Sequence, residues 1–120
     1  MDITTRAQDF EMTNAIDQFA RDQVRAALLR FGEEIMAVDI FMKDANGPKG
    51  GIDKQALIRI RLRNRQVIAL QTAHENLYAA IRKGSKRTRQ AVRRHLRKTR
   101  RVKKQRMRDR LVDAGIAGAI

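Results

Sequence analysis

Apolar residues recur along the chain at every second position in some stretches and at every third or fourth in others, and each period implies a backbone. Residues 2–6 set Ile3 and Thr5 against Thr4 and read as a short strand. A loop around Gln8 and Asp9 follows, and Thr13 is placed to cap a helix. Ile16, Ala20, Val24, Ala27, Leu28 and Phe31 form one helical stripe, with Gly32 where a C-terminal glycine belongs. Residues 35–43 return to alternation, with Met36, Val38, Ile40 and Met42 on one side and Ala37, Asp39 and Phe41 on the other. Asn46-Gly47-Pro48-Lys49-Gly50-Gly51 is a turn cluster; it has neither Walker spacing nor a helix after it, so it reads as a hairpin loop and not a phosphate cradle. In residues 55–63, Ile58, Ile60 and Leu62 alternate with Arg59, Arg61 and Arg63, the pattern of an antiparallel strand with a wet, basic outer face. Asn64 and Arg65 supply its tight turn, and residues 66–72 return as a fourth strand. Thr72, with Glu75 three residues on, reads as a capping box opening a second helix.

Along that helix Leu77, Ile81, Thr88, Val92 and Leu96 follow one stripe. The predicted order is therefore β-α-β-β-β-α, an α+β fold. Its first helix lies between two strands expected to be neighbours, and a four-stranded sheet has two helices packed on one face and water on the other.

The second helix is also where the charge lies. Of 27 basic residues, 16 fall between positions 82 and 110, beside a single acid, Asp109. That segment carries +15, while the remaining 11 basic and 12 acidic residues nearly cancel, so the whole net +14 comes from one stretch. A solvated helix face ordinarily mixes signs in i,i+4 acid–base pairs, and here the acids are missing. Charge segregated in this way builds an electrostatic face whose commonest partner is the phosphate of a nucleic acid.

Composition narrows the rest. A length of 120 residues fits one domain with a modest core. With no Cys there is neither a disulfide nor a thiolate metal site, which suits a reducing cytoplasm. The first twelve residues contain no apolar run, so neither a signal peptide nor an anchor is expected, and no stretch reaches the roughly 18 apolar residues of a membrane span. The basic helix carries no Trp or Phe on its apolar stripe, so membrane-surface binding is not expected. Enzyme chemistry has little support. His74 and His95 are the only histidines, far apart and without a Cys, and Glu33-Glu34 reads as a solvated pair. No catalytic residue, metal, cofactor or small-molecule substrate is expected. With four Phe, one Tyr and no Trp, base stacking is a poor route to sequence readout; Tyr78 reads as a packed aromatic. Phosphate contact and RNA shape are the expected mechanism.

Two blocks resemble the ribosome hibernation-promoting factor family, also described as ribosome-associated inhibitors. One is Ile3-Thr4-Thr5 with Phe10-Glu11-Met12-Thr13 leading into the first helix, where relatives carry x-E-I-T-x-A-L/I. The other is His74-Glu75-Asn76-Leu77-Tyr78-Ala79-Ala80-Ile81, close to the family's E-D-M-Y-A-A-I helix start. The order and lengths of the six elements agree as well, over residues 1–98. The resemblance implies a short-form, non-enzymatic stress-response protein that binds the small ribosomal subunit in the mRNA channel near the decoding centre, blocking mRNA and tRNA. It implies rRNA contacts from basic positions of the second helix, matched here by Lys86, Arg87, Arg94, Arg97 and Lys98, with Arg89 and Arg93 on neighbouring turns. Arg101, Lys103 and Lys104 continue the set into the extension; Arg21 and Arg25 on the first helix are weaker candidates. A structural ribosome-assembly protein and a general double-stranded RNA or nucleoid binder are the alternatives.

Three features depart from the family pattern. Gly84-Ser85 and Thr88 replace larger residues, which would either kink the helix or admit another backbone closely. The stretch from Arg100 onward is more basic than in short relatives, and the length leaves no room for the dimer-forming domain of long ones, so ribosome pairing by that route is not expected. The expected organisation is a hibernation-factor-like domain over residues 1–98 and a basic extension with a small apolar tail over 99–120. A helix from 73 to 110 would be about 57 Å long. Strands of this length span only about 17–30 Å. Residues beyond Lys98 are therefore expected to be mobile until RNA orders them, and the final LVDAGIAGAI to form a loose tail.

Overall fold

The computed structural model of the chain describes residues 1–44 and 53–113. The glycine-rich cluster 46–51 and the last seven residues of the apolar tail lie outside them. The elements are β1 (Asp2–Gln8), α1 (Asn14–Leu28), β2 (Ile35–Asp44), β3 (Lys54–Leu62), β4 (Val67–His74) and α2 (Leu77–Asp113), with a 3-10 turn at Leu29–Phe31 after α1. This is the expected β-α-β-β-β-α order of an α+β fold. The sheet order is β1-β2-β3-β4, parallel between β1 and β2 and antiparallel elsewhere. The chain divides into two compact units, Met1–Gln90 and Ala91–Ile120.

The first unit holds the sheet, α1 and the opening turns of α2. Strand alternation separates its two faces. Ile3, Val38, Ile40, Met42, Ala56, Ile58, Ile60 and Leu62 are buried on the helix side. Thr4, Arg6, Arg59 and Gln71 are exposed on the other. Ala20, Val24 and Leu28 of α1 and Ala80 and Ile81 of α2 complete the core. The outcome is the half-wet sheet that the alternation of β3 implies.

α1 starts as its sequence dictates. Thr13 is extended (φ −99°, ψ 158°) and its hydroxyl accepts from the Ile16 amide at 3.2 Å. Three polar contacts fasten α1 to β1. The Thr5 hydroxyl donates to Asp17, Arg21 Nε lies 2.9 Å from Asp17, and Arg21 Nη1 donates to the Ile3 carbonyl at 2.6 Å. The Thr5 hydrogen bond, helped by Arg21, holds the Asp17 carboxyl below its ordinary pKa against a smaller opposing effect of burial.

Four local expectations are corrected. Met36 does not share the core face of β2. A bulge between Ile35 and Ala37 shifts the pairing by one residue, so Ile35 is buried and Met36 is 48% exposed. Gly32 ends the 3-10 turn in a right-handed conformation (φ −55°, ψ −34°), its amide donating to the Leu29 carbonyl at 3.2 Å, so it is no left-handed cap. The β3–β4 connection is longer than a two-residue turn. The Leu62 amide reaches the Gln66 carbonyl at 2.9 Å, and Arg65 takes a positive φ of 71°. Thr72 and Glu75 do not form a capping box, because Thr72 still belongs to β4. Asn76 caps α2 instead, its side-chain oxygen accepting from the amides of Tyr78 at 2.8 Å and Ala79 at 3.4 Å.

Thr72 has a different task. Its buried hydroxyl donates to the Ala80 carbonyl at 2.9 Å, tying the first turn of α2 to β4. Close by, a Cβ on Gly84 would stand 3.0 Å from Thr72 Oγ1 and 3.1 Å from Ile58 Cδ1. Of the two consequences open to Gly84-Ser85, the structure takes close approach, and α2 runs unbroken through both residues. Tyr78 packs edge-on against Phe19 of α1, ring centroids 4.8 Å apart.

In the second unit, residues 91–113 are helical, with Val92 and Leu96 buried and 101–110 exposed throughout. The expected mobile stretch beyond Lys98 is thus helix through Asp113. Arg, Lys, Gln and Met are good helix formers, and Gln105 donates to Asp109 one turn on at 3.0 Å.

Two measurements check this architecture. Ile81 is fully buried, so Ile81→Ala should cost about 2–5 kcal/mol, read as a lowered urea midpoint at unchanged slope; an unchanged midpoint would put the α2 stripe in the wrong register. Asp17 has a depressed folded-state pKa, so its contribution is present above the unfolded carboxylate value of about 3.9 and lost as pH falls through the folded one. Asp17→Asn should therefore lower stability at pH 6, and the gap to wild type should narrow as pH falls below the unfolded carboxylate value.

Candidate nucleic-acid interface

The ten main candidate contact residues lie on α2, because the basic stretch folds as helix. In the first unit Lys86, Arg87 and Arg89 are exposed, as are Arg82 and Lys83 beside them. Residues 82, 86 and 89 share one helical face by spacing. With Gln23, Ala26 and Ala27 of α1 they line an open depression of about 290 Å³. Arg82 stacks its guanidinium 5.9 Å from the Phe19 ring centroid, which leaves the cation at the surface while its stem covers apolar area. Arg87 turns the other way and donates to the Gln71 carbonyl of β4 at 3.2 Å.

In the second unit Arg93, Arg94, Arg97, Lys98, Arg101, Lys103 and Lys104 are all exposed. Arg93, Arg97, Arg101 and Lys104 follow one stripe, and Arg94, Lys98 and Arg101 another, so cations line more than one side of this stretch. Among the described residues, none of the ten candidates forms an ion pair with an acid. The acids are used elsewhere: Asp17 by Arg21, Asp39 by Arg59 and Arg61, Asp44 and Asp53 by Lys54. Bringing so many like charges onto one helix costs self-repulsion that an anionic partner would relieve.

The two α1 candidates fare differently. Arg21 is spent on Asp17 and the Ile3 carbonyl and is partly buried, so its task is to join α1 to β1. Arg25 is half-exposed and 3.5 Å from Asp22. Each histidine has a local partner: His74 Nδ1 accepts from the Asn76 amide at 3.1 Å beside the α2 cap, and His95 lies on α2 with its carbonyl accepting from Thr99. Among the described residues no three His, Asp or Glu side chains gather into a metal cage, and no helix is long and apolar enough to cross a membrane. Sequence reasoning missed Arg82, whose alternation with the apolar stripe was legible but whose ring partner, Phe19, lies 63 positions away on another element.

The model of one protein family, described as sigma 54 modulation protein / S30EA ribosomal protein, matches residues 3–100. The chain belongs to that family. It is the family of the hibernation-promoting factors that the two sequence blocks resemble. No individual curated protein matches the chain significantly. Among solved structures, the fold is similar to the N-terminal domain of Protein Y from Thermus thermophilus, with a TM-score of 0.67 at 21% identity, covering 79% of this chain and 99% of that one. It is equally similar to a ribosomal subunit interface protein from Coxiella burnetii, with a TM-score of 0.67 at 13% identity, covering 79% and 97%. At such identities the two neighbours speak for the fold, and the family match for kinship.

Because Arg94 and Arg97 are exposed and off the buried stripe, reversing both charges (Arg94→Glu with Arg97→Glu) should change stability by no more than about 0.5 kcal/mol per site. Thermal unfolding of the double variant checks it; a large loss would show that these side chains are structural.

Proposed function

We propose that this chain is a ribosome hibernation factor that binds the small ribosomal subunit near the decoding centre and holds the ribosome inactive by occupancy. The observation that carries the reading is the set of ten exposed cations on α2 without acidic partners, in a family whose description names a ribosomal protein. Lys86, Arg87, Arg89, Arg93, Arg94, Arg97, Lys98, Arg101, Lys103 and Lys104 contact rRNA phosphates. The α+β body stands in the path of mRNA and tRNA. Affinity rests on charge and counterion release, and selectivity on the fit of the body to a folded rRNA cleft. The partner is reached in the cytoplasm, and no turnover, cofactor or metal is involved.

Inhibition of translation by the purified protein should saturate near one molecule per ribosome and be relieved by salt. Irreversible inhibition by substoichiometric protein would mean chemistry on RNA and end this reading. Sedimentation separates the neighbouring functions: a hibernation factor co-migrates with intact ribosomes increasingly on starvation, an assembly protein is stoichiometric in growing cells, and a nucleoid binder pellets with DNA. Arg94→Glu with Arg97→Glu should weaken co-migration.

Deleting residues 101–120 removes up to six phosphate contacts, from Arg101, Lys103, Lys104, Arg106, Arg108 and Arg110. With about 0.7–0.9 counterions released per contact, the log–log salt slope of ribosome binding should fall by about four to five if all six engage. An unchanged slope and affinity would assign all binding to the cations before residue 101.

A further inference from the structure

The face of the sheet turned away from the helices carries chemistry of its own. One row of it is ion-paired. Asp39 accepts from the Thr4 hydroxyl and lies 3.3 Å from Arg59 Nη2 and 3.9 Å from Arg61 Nε. The next row is different. The register sets Arg6, Phe41 and Leu57 side by side across β1, β2 and β3, and Gln8, Lys43 and Gln55 in the row beyond. These six line an open cleft of about 340 Å³. The Arg6 guanidinium lies 6.0 Å from the Phe41 ring centroid. Neither Arg6 nor Lys43 forms an ion pair among the described residues, since the adjacent Asp44 is 3.2 Å from Lys54. Gln71 donates to the Gln55 side-chain oxygen at 3.1 Å.

A half-exposed aromatic ring beside an aliphatic side chain, two unneutralised cations and carboxamides that both donate and accept make a matched set. The flat apolar pair suits the face of a planar heterocycle, the cations suit a phosphate, and the amides suit the hydrogen-bonding edge of a base. A base stacked inside a duplex has no free face for Phe41, so the ligand is unpaired. The volume suits one nucleotide. We propose that this cleft binds one unpaired nucleotide of an RNA chain, the base against Phe41 and Leu57 and the phosphate between Arg6 and Lys43. It is a second RNA contact, on a different face from the basic helix and of a different kind. The helix neutralises phosphates without regard to base pairing, whereas the cleft requires an exposed base. This proposal goes beyond the hibernation reading and does not depend on it.

The test is an NMR titration of the full-length 15N-labelled chain with 5′-AMP, with inorganic phosphate and with a blunt RNA duplex. AMP should move the amides of residues 6–8, 41–43 and 55–57. Phosphate and duplex should leave residues 41 and 57 in place. Phe41→Leu, which keeps apolar volume, and Lys43→Gln, which removes only charge, should each weaken AMP binding, Phe41→Leu by about five-fold or more. Arg94→Glu with Arg97→Glu should leave it unchanged. Should Phe41→Leu fail to fold, Lys43→Gln and Arg6→Gln decide the matter. AMP shifts confined to α2, shifts at 41 and 57 reproduced by phosphate alone, equal displacement of AMP by a short Asp/Glu peptide, or wild-type affinity in the cleft variants would each overturn the proposal. A wild-type protein that binds AMP at the cleft but never co-migrates with ribosomes would overturn the hibernation reading and leave this one standing.

Discussion

The distance between α2 and the sheet is set by a hydroxyl and an absent side chain. Thr72 Oγ1 donates to the Ala80 carbonyl at 2.9 Å, and Gly84 brings its backbone so near β3 and β4 that an added Cβ would stand about 3 Å from Thr72 and Ile58. Ala80, Ile81, Ser85 and Thr88 are buried along the same stripe. Small residues there let a helix crowded with Arg and Lys press its apolar line onto the sheet while Lys83, Lys86 and Arg89 stay exposed. A large residue at 84 would lift the helix, and the charges it displays in the first unit would move with it.

Charge is distributed to match. The acids sit where they join elements or neutralise strand arginines, as Asp17 does between β1 and α1 and Asp39 on the open sheet face. Among the described residues, the ten candidate cations of α2 keep no acidic partner. Exposed ion pairs contribute little stability, so the pairing elsewhere matters mainly because it spares those acids from the helix. The helix survives its own repulsion because its residue types favour helix intrinsically and because Val92 and Leu96 are buried.

Much of this was legible in the amino-acid sequence. The six elements, the open sheet face behind Arg59 and Arg61, the buried line from Ile81 to Leu96 and the exposure of all ten candidate cations follow from periodicity alone, because side-chain period fixes which face meets the core. What was not legible depended on partners distant in sequence or on one-residue shifts. The bulge at Met36 appears only when β2 is paired with β3. The capping box at Thr72 gave way to Asn76 because β4 pairs two residues further than alternation suggested, to His74 opposite Lys54. Arg21 looked like a surface cation until the Ile3 carbonyl and Asp17 came within reach of it. The sheet-face cleft was invisible for the same reason: Arg6, Phe41 and Leu57 are neighbours only across three strands.

The central claim is that α2 is the surface that meets rRNA. A density map of the protein on the small ribosomal subunit tests it most directly. The account predicts α2 lying along rRNA near the decoding centre, with density joining Lys86, Arg94, Arg97 and Arg101 to backbone phosphates. A bound protein whose α2 cations face solvent while another surface meets the subunit would contradict it.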